Sequence, residues 1–99
     1  MVFELLGTGS RNAKTGRELA RMLDCNIRQV TEQIERERRA GKPICASMTG
    51  RQGYYLAETQ EDLQQYCGAI KRRAVELFKT RQALISILKQ LPGVEHEKH

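Results

Sequence analysis

Ninety-nine residues with 39% apolar side chains, 5% aromatic and no tryptophan allow one small domain with an aliphatic core, and at most one appended element. Cys25, Cys45 and Cys67 are odd in number and fit neither a disulfide framework nor a zinc knuckle, so they are expected as reduced thiols in a cytoplasmic protein, Cys25 and Cys45 as small buried residues. The net charge of +5 favours a polyanionic partner, no apolar run approaches the ~20 residues of a membrane span, and MVFELLGTGS is too short and too acidic for a signal peptide.

In chain order, Val2 to Leu6 is a short apolar segment of one or two helical turns. Gly7-Thr8-Gly9-Ser10 then breaks it as a flexible connector. No third glycine follows at phosphate-loop spacing. Thr15-Gly-Arg-Glu18 is a capping box, in which the Thr15 hydroxyl accepts from the Glu18 amide and the Glu18 carboxylate reaches back. It opens a helix whose Leu19, Ala20 and Leu23 share one face and which ends near Leu23 or Asp24.

Asn26 and Gln29 form a second box, and Ile27, Val30 and Ile34 mark the buried face of the helix that follows. Its opposite face carries Arg28, Glu32, Glu35, Arg36 and Arg39, flanked by Gln29 and Thr31. Gly41 stops this helix and Pro43 prevents its resumption. Ile44 to Ser47 and Tyr54 to Leu56 read as short strands. The six-residue loop between them is longer than a tight hairpin needs and carries Arg51 and Gln52 at its tip.

Thr59 caps a last helix that runs to Leu91 and stops at Pro92-Gly93. Leu63, Ile70, Leu77, Leu84 and Leu91 recur every seven residues. Cys67, Ala74, Arg81 and Leu88 form a second row four residues after the first. This is a heptad-like seam interrupted by Arg81. A helix of that length measures roughly 45 Å at 1.5 Å per residue, more than a small domain can cover. The tail from residue 92 on, with His96 and His99, is expected to be disordered and offers no metal ligand or catalytic base.

Two helices crossing through a tight turn, then a hairpin, define a helix-turn-helix with a β-wing. Ala20 is the small residue where the helices cross. Asp24 takes the turn position that requires positive φ, and Cys25, Asn26 and Val30 follow as small contact, cap and apolar contact. The fold class expected is mainly α with a small β-wing (α+β): a domain over 1–58, a long helix over 59–91 and a tail over 92–99.

The spacing of Leu19, Ala20, Leu23, Val30 and Ile34, with Arg38, Gly41 and Gly53-Tyr54-x-Leu56, resembles the winged helix-turn-helix of the biotin-operon-repressor N-terminal type and of small phage and prophage regulators. The resemblance covers about residues 2–57. Glu37 departs from it, standing where that family has a buried leucine, and Asp24 replaces its turn glycine. The resemblance implies double-stranded DNA as partner. Base edges are then read by Arg28, Gln29, Thr31 and Glu32, and phosphates are held by Lys14, Arg17, Asn26 and Arg36. Arg51 and Gln52 reach the neighbouring groove or backbone. The seam either folds back over the domain and contributes to its core or pairs with a second copy; regulators of this class usually bind as dimers, so the seam (Leu63, Ile70, Leu77, Leu84, Leu88 and Leu91) is expected to join two copies.

The leading expectation is a small transcriptional regulator occupying an operator. A replication or packaging accessory makes the same demands on the sequence. A winged-helix module that binds protein is the alternative from another class, supported by Glu32, Glu35 and Glu37, which nearly cancel the arginines of the second helix. No nucleophile-base pair, paired catalytic carboxylates, metal cluster or cofactor loop points to an enzyme.

Overall fold

The computed structural model describes residues 1–47 and 52–92. It is mainly helical, with one two-stranded antiparallel sheet: α1 (Gly16–Leu23), α2 (Ile27–Arg39), β1 (Ile44–Ala46), β2 (Tyr54–Leu56) and α3 (Gln60–Leu88). Short 3₁₀ turns at Val2–Leu5 and Ser10–Asn12 precede α1. The chain divides into two compact units, one over Met1–Tyr66 and one from Cys67 onward.

Both expected capping boxes form. Thr15 accepts from the Glu18 amide at 3.0 Å while Glu18 accepts from the Thr15 amide at 2.8 Å. Asn26 and Gln29 do the same at 2.8 and 3.0 Å. Each box satisfies amides that a helix start otherwise leaves without an intrahelical partner. Between the boxes, Asp24 adopts the left-handed conformation at φ 53°, and the Cys25 amide donates to the Ala20 carbonyl at 2.9 Å. An aspartate tolerates this region better than most residues, which lets α2 leave α1 through so short a turn.

The first unit is held by a core of Val2, Leu6, Leu19, Ala20, Val30, Ile34 and Ile44, against which Phe3, Leu5, Leu23, Cys25, Tyr54 and Leu56 pack. Ile27, expected on the buried face of α2, is 49% exposed instead. It is the first residue of α2 and rests on the edge of the crossing, 3.7 Å from where a side chain at Gly16 would begin. Cys45 is fully buried, whereas Cys25 is only half-buried.

β1 and β2 pair in the register Ile44↔Leu56, Cys45↔Tyr55 and Ala46↔Tyr54. The segment expected as a flexible connector is tied to β2. The Gly9 amide donates to the Leu56 carbonyl and the Leu56 amide to the Gly7 carbonyl, both at 2.9 Å. Lys14 and Tyr54 exchange a pair of backbone bonds at 2.9 and 2.7 Å. Residues 7–14 thus line the free edge of the hairpin, satisfying groups that an edge strand leaves open. Gly53 permits the approach: a Cβ there would stand 2.7 Å from the Lys14 carbonyl oxygen.

α3 begins as expected, with Thr59 accepting from the Asp62 amide at 3.1 Å and Asp62 accepting from the amides of Glu58 and Thr59. It ends at Leu88, where turns replace helix before Pro92. No residue of α3 is buried. Among the described residues no helix is long and apolar enough to cross a membrane.

Candidate functional site

The outward face of α2 holds most of the residues that the sequence singled out. Arg28, Gln29, Thr31, Glu32 and Arg36 are all exposed on it. Their side chains are already engaged locally. Arg28 Nε meets Glu32 Oε2 at 3.3 Å, and the Thr31 hydroxyl donates to the Ile27 carbonyl at 3.1 Å. Arg36 donates twice to Gln33 Oε1, at 3.2 and 2.7 Å. Glu35 lies within 3.2 Å of Arg38 and 4.0 Å of Arg39. Exposed pairs of this kind are worth ~0.3–0.5 kcal/mol each, so an incoming anion displaces them at small cost.

Gln29 and Asn26 are constrained differently. The Gln29 carbonyl oxygen and the Asn26 side-chain oxygen both serve the capping box, so the amide nitrogen of each remains to face a ligand. Arg17 is exposed on α1. Lys14 is half-buried, with its backbone locked to Tyr54. Gln52 is exposed beside β2, and Arg51 lies outside the described residues.

Two residues outside the expected DNA contacts hold this face in place. Glu37 is 2% exposed. Its carboxylate accepts from the amides of Val2 and Phe3 at 2.8 and 2.7 Å and from Gln33 Nε2 at 2.7 Å. Burial raises its pKa, but the hydrogen bonds from Gln33, Phe3 and Val2 and the charge of the amino terminus together outweigh burial and hold it below the ordinary glutamate value of 4.5. Glu37 is therefore not a surface charge, and the acidic cluster of α2 reduces to Glu32 and Glu35. Its place in the sequence, seven residues after Val30 and three after Ile34, already puts it on the buried face.

Arg38 is the second. Its Nε donates to the Ile44 carbonyl at 2.8 Å and a terminal nitrogen donates to the Tyr66 hydroxyl at 2.8 Å. Its guanidinium stands 5.0 Å from the Tyr66 ring centroid and 6.0 Å from that of Tyr54. One side chain thereby joins α2, both strands and the second turn of α3. A planar cation with five donors can do this and a lysine cannot.

Electrostatically, ten basic and nine acidic side chains fall in residues 1–66, and seven and three in residues 67–99. The first unit is thus close to neutral, and positive potential on it must come from the placement of Arg17, Arg28, Arg36 and Arg39. A groove of about 420 Å³ lies beside α2, lined by Met1, Leu23, Cys25, Gln29, Glu32, Gln33 and Arg36. Comparison of the chain with family models, with curated proteins and with solved structures finds no match.

Proposed function

We propose that this chain is a winged helix-turn-helix protein that binds double-stranded DNA without catalysis. In this reading it is a small phage-like transcriptional regulator of the cytoplasm that acts as a homodimer by occupying an operator. The observation that carries the reading is the exposed face of α2. Two capping boxes and the left-handed Asp24 turn brace α2 against α1. The same helix is fixed from behind by Glu37 and Arg38 and presents Arg28, Thr31 and Arg36 outward. A helix braced on one side and polar on the other suits the major groove, whose width admits an α-helix. Arg28 is suited to bidentate contact with guanine, and Arg17 and Arg36 to phosphate.

Titration of a fluorescent duplex with purified protein tests this. Binding should weaken with salt along a log–log slope of about −3 for each copy bound, as expected when three or four phosphates are neutralised per copy. Arg28→Ala should cost ~10-fold or more on the preferred duplex, from the loss of one bidentate base contact. Full affinity in both Arg28→Ala and Arg51→Ala would sink the reading.

A second reading, a module that docks protein, is favoured by the near-neutral first unit and by the groove beside α2, whose lining residue Met1 is 59% exposed. It predicts no retention of duplex at low salt. A replication or packaging accessory uses the same face, and a partner assay separates it from a regulator.

A further inference from the structure

Nine of the twelve exposed large apolar side chains among the described residues lie between Leu63 and Leu91. They are not scattered. Written as heptads, Cys67, Ala74, Arg81 and Leu88 take the a positions, and Ile70, Leu77 and Leu84 the d positions, whereas Leu91, expected in the seam, lies beyond the end of α3. Leu77 is 65% exposed, Leu84 60% and Leu88 67%. Apolar heptads sustained over this length call for a facing helix.

Charge is distributed unevenly along the same helix. Lys71, Arg72 and Arg73 lie together in its middle, with Lys79 and Arg81 further on, and the last seven residues, Gln82 to Leu88, carry no charge. Glu76 is the acidic residue of the stretch, and it meets Lys79 at 3.4 Å. Arg81 stands in the seam itself.

We propose that the occupant of this face is α3 of a second copy, running antiparallel and centred near Lys79; the proposal rests on the homodimer reading above and specifies its geometry. In a parallel pair every layer faces itself. Arg81 then meets Arg81 of the other copy across the seam, and the two Lys71–Arg73 triplets lie side by side. In the antiparallel pair centred at Lys79, Arg81 faces Leu77, Ala74 faces Leu84 and Ile70 faces Leu88. Each basic triplet then lies opposite Ile85-Ser86-Ile87 of the other copy. The Arg81 stem packs on leucine while its guanidinium reaches the flank where Phe78 stands, a ring it can stack on. The small Ala74 meets the large Leu84 in this register, which helps fill the seam.

The experiment places a spin label off the seam. A Cβ at Gly68 meets only the Arg72 side chain, at 3.6 Å, so Gly68→Cys is accommodated. It is made with Cys25→Ser and Cys67→Ser, while Cys45 is fully buried and protected from labelling. Circular dichroism checks the fold, sedimentation gives the oligomer, and pulsed electron–electron resonance gives the distance. A dimer with labels ~40 Å apart is the expected result, because the two positions lie about 33 Å apart along the axis at 1.5 Å per residue. A dimer with labels within ~25 Å overturns the antiparallel arrangement and leaves the homodimer standing. A monomer at tens of micromolar overturns both.

A charge exchange gives a second readout on otherwise unmodified chains. Leu77→Glu should weaken dimerisation less than ~10-fold, because it faces Arg81 of the other copy, whereas Leu84→Glu, facing Ala74, should weaken it ~100-fold or more. Equal losses contradict the register.

Discussion

Replacing the buried Glu37 tests whether its carboxylate organises the first unit. Three donors converge on it, at 2.7 to 2.8 Å, two of them backbone amides of the first 3₁₀ turn. Hydrogen bonds to a charged group are worth ~1.5–3 kcal/mol each, and a buried donor left without its partner costs ~1–3 kcal/mol. Glu37→Gln keeps one acceptor oxygen and turns an NH₂ group toward a donor, so it should cost ~2 kcal/mol. Glu37→Leu keeps the volume but leaves all three donors unsatisfied, and should cost ~3–5 kcal/mol. In a domain of this size ~2 kcal/mol lowers Tm by roughly 8–16 °C. Urea denaturation followed by circular dichroism measures both variants. The pH dependence carries a sign. A carboxylate whose folded pKa lies below its unfolded value contributes stability above the unfolded value, here the ordinary 4.5. That contribution should be lost as pH falls from about 4.5 through the folded pKa, and Glu37→Gln should show less of this loss. A Glu37→Leu variant as stable as the parent, the outcome expected if a buried leucine simply suited this site, would refute the reasoning.

Three further perturbations follow from the same geometry. Gly53→Ala should destabilise by ~2 kcal/mol or more, because its Cβ would stand 2.7 Å from the Lys14 carbonyl oxygen; amide exchange at Tyr54 should rise with it. Asp24→Gly should leave the fold intact and stabilise it by up to ~1 kcal/mol in thermal melts, since glycine adopts φ 53° without strain, whereas Asp24→Val should destabilise it. Arg38→Lys should be nearly as damaging as Arg38→Ala, at ~2–4 kcal/mol by denaturant titration. An ammonium group cannot donate to Ile44 and Tyr66 together while stacking on two rings, and rescue by lysine would contradict that role.

The helices were legible because their signals are local. Thr15, Asn26 and Thr59 each announce a helix start by a residue three positions on, and all three caps form. Asp24 was legible as the turn because few residues accept positive φ. What escaped was long-range. Glu37 sits on the apolar period of α2, but its donors lie 34 and 35 residues away, and no periodicity names them. Gly7 to Ser10 read as a connector because the two glycines look permissive, whereas Gly9, at φ 87°, donates to the Leu56 carbonyl and Gly53 lets the backbone approach Lys14. Arg38 fitted a family pattern, yet its partners Ile44 and Tyr66 come from a strand and a helix beyond the hairpin. The outward residues of α2 were found by the same 100° rule that found its buried face. Their mutual pairing, such as Arg28 with Glu32, follows from spacing of four, while the engagement of Arg36 with the neutral Gln33 does not.

Whether the outward face of α2 reads duplex DNA, as proposed, is decided by selection from a randomised duplex pool with the purified full chain. A reading helix should enrich a motif, repeated as two inverted half-sites, and Arg28→Ala should lose that enrichment. Failure to retain any duplex at low salt would rule out DNA as the partner.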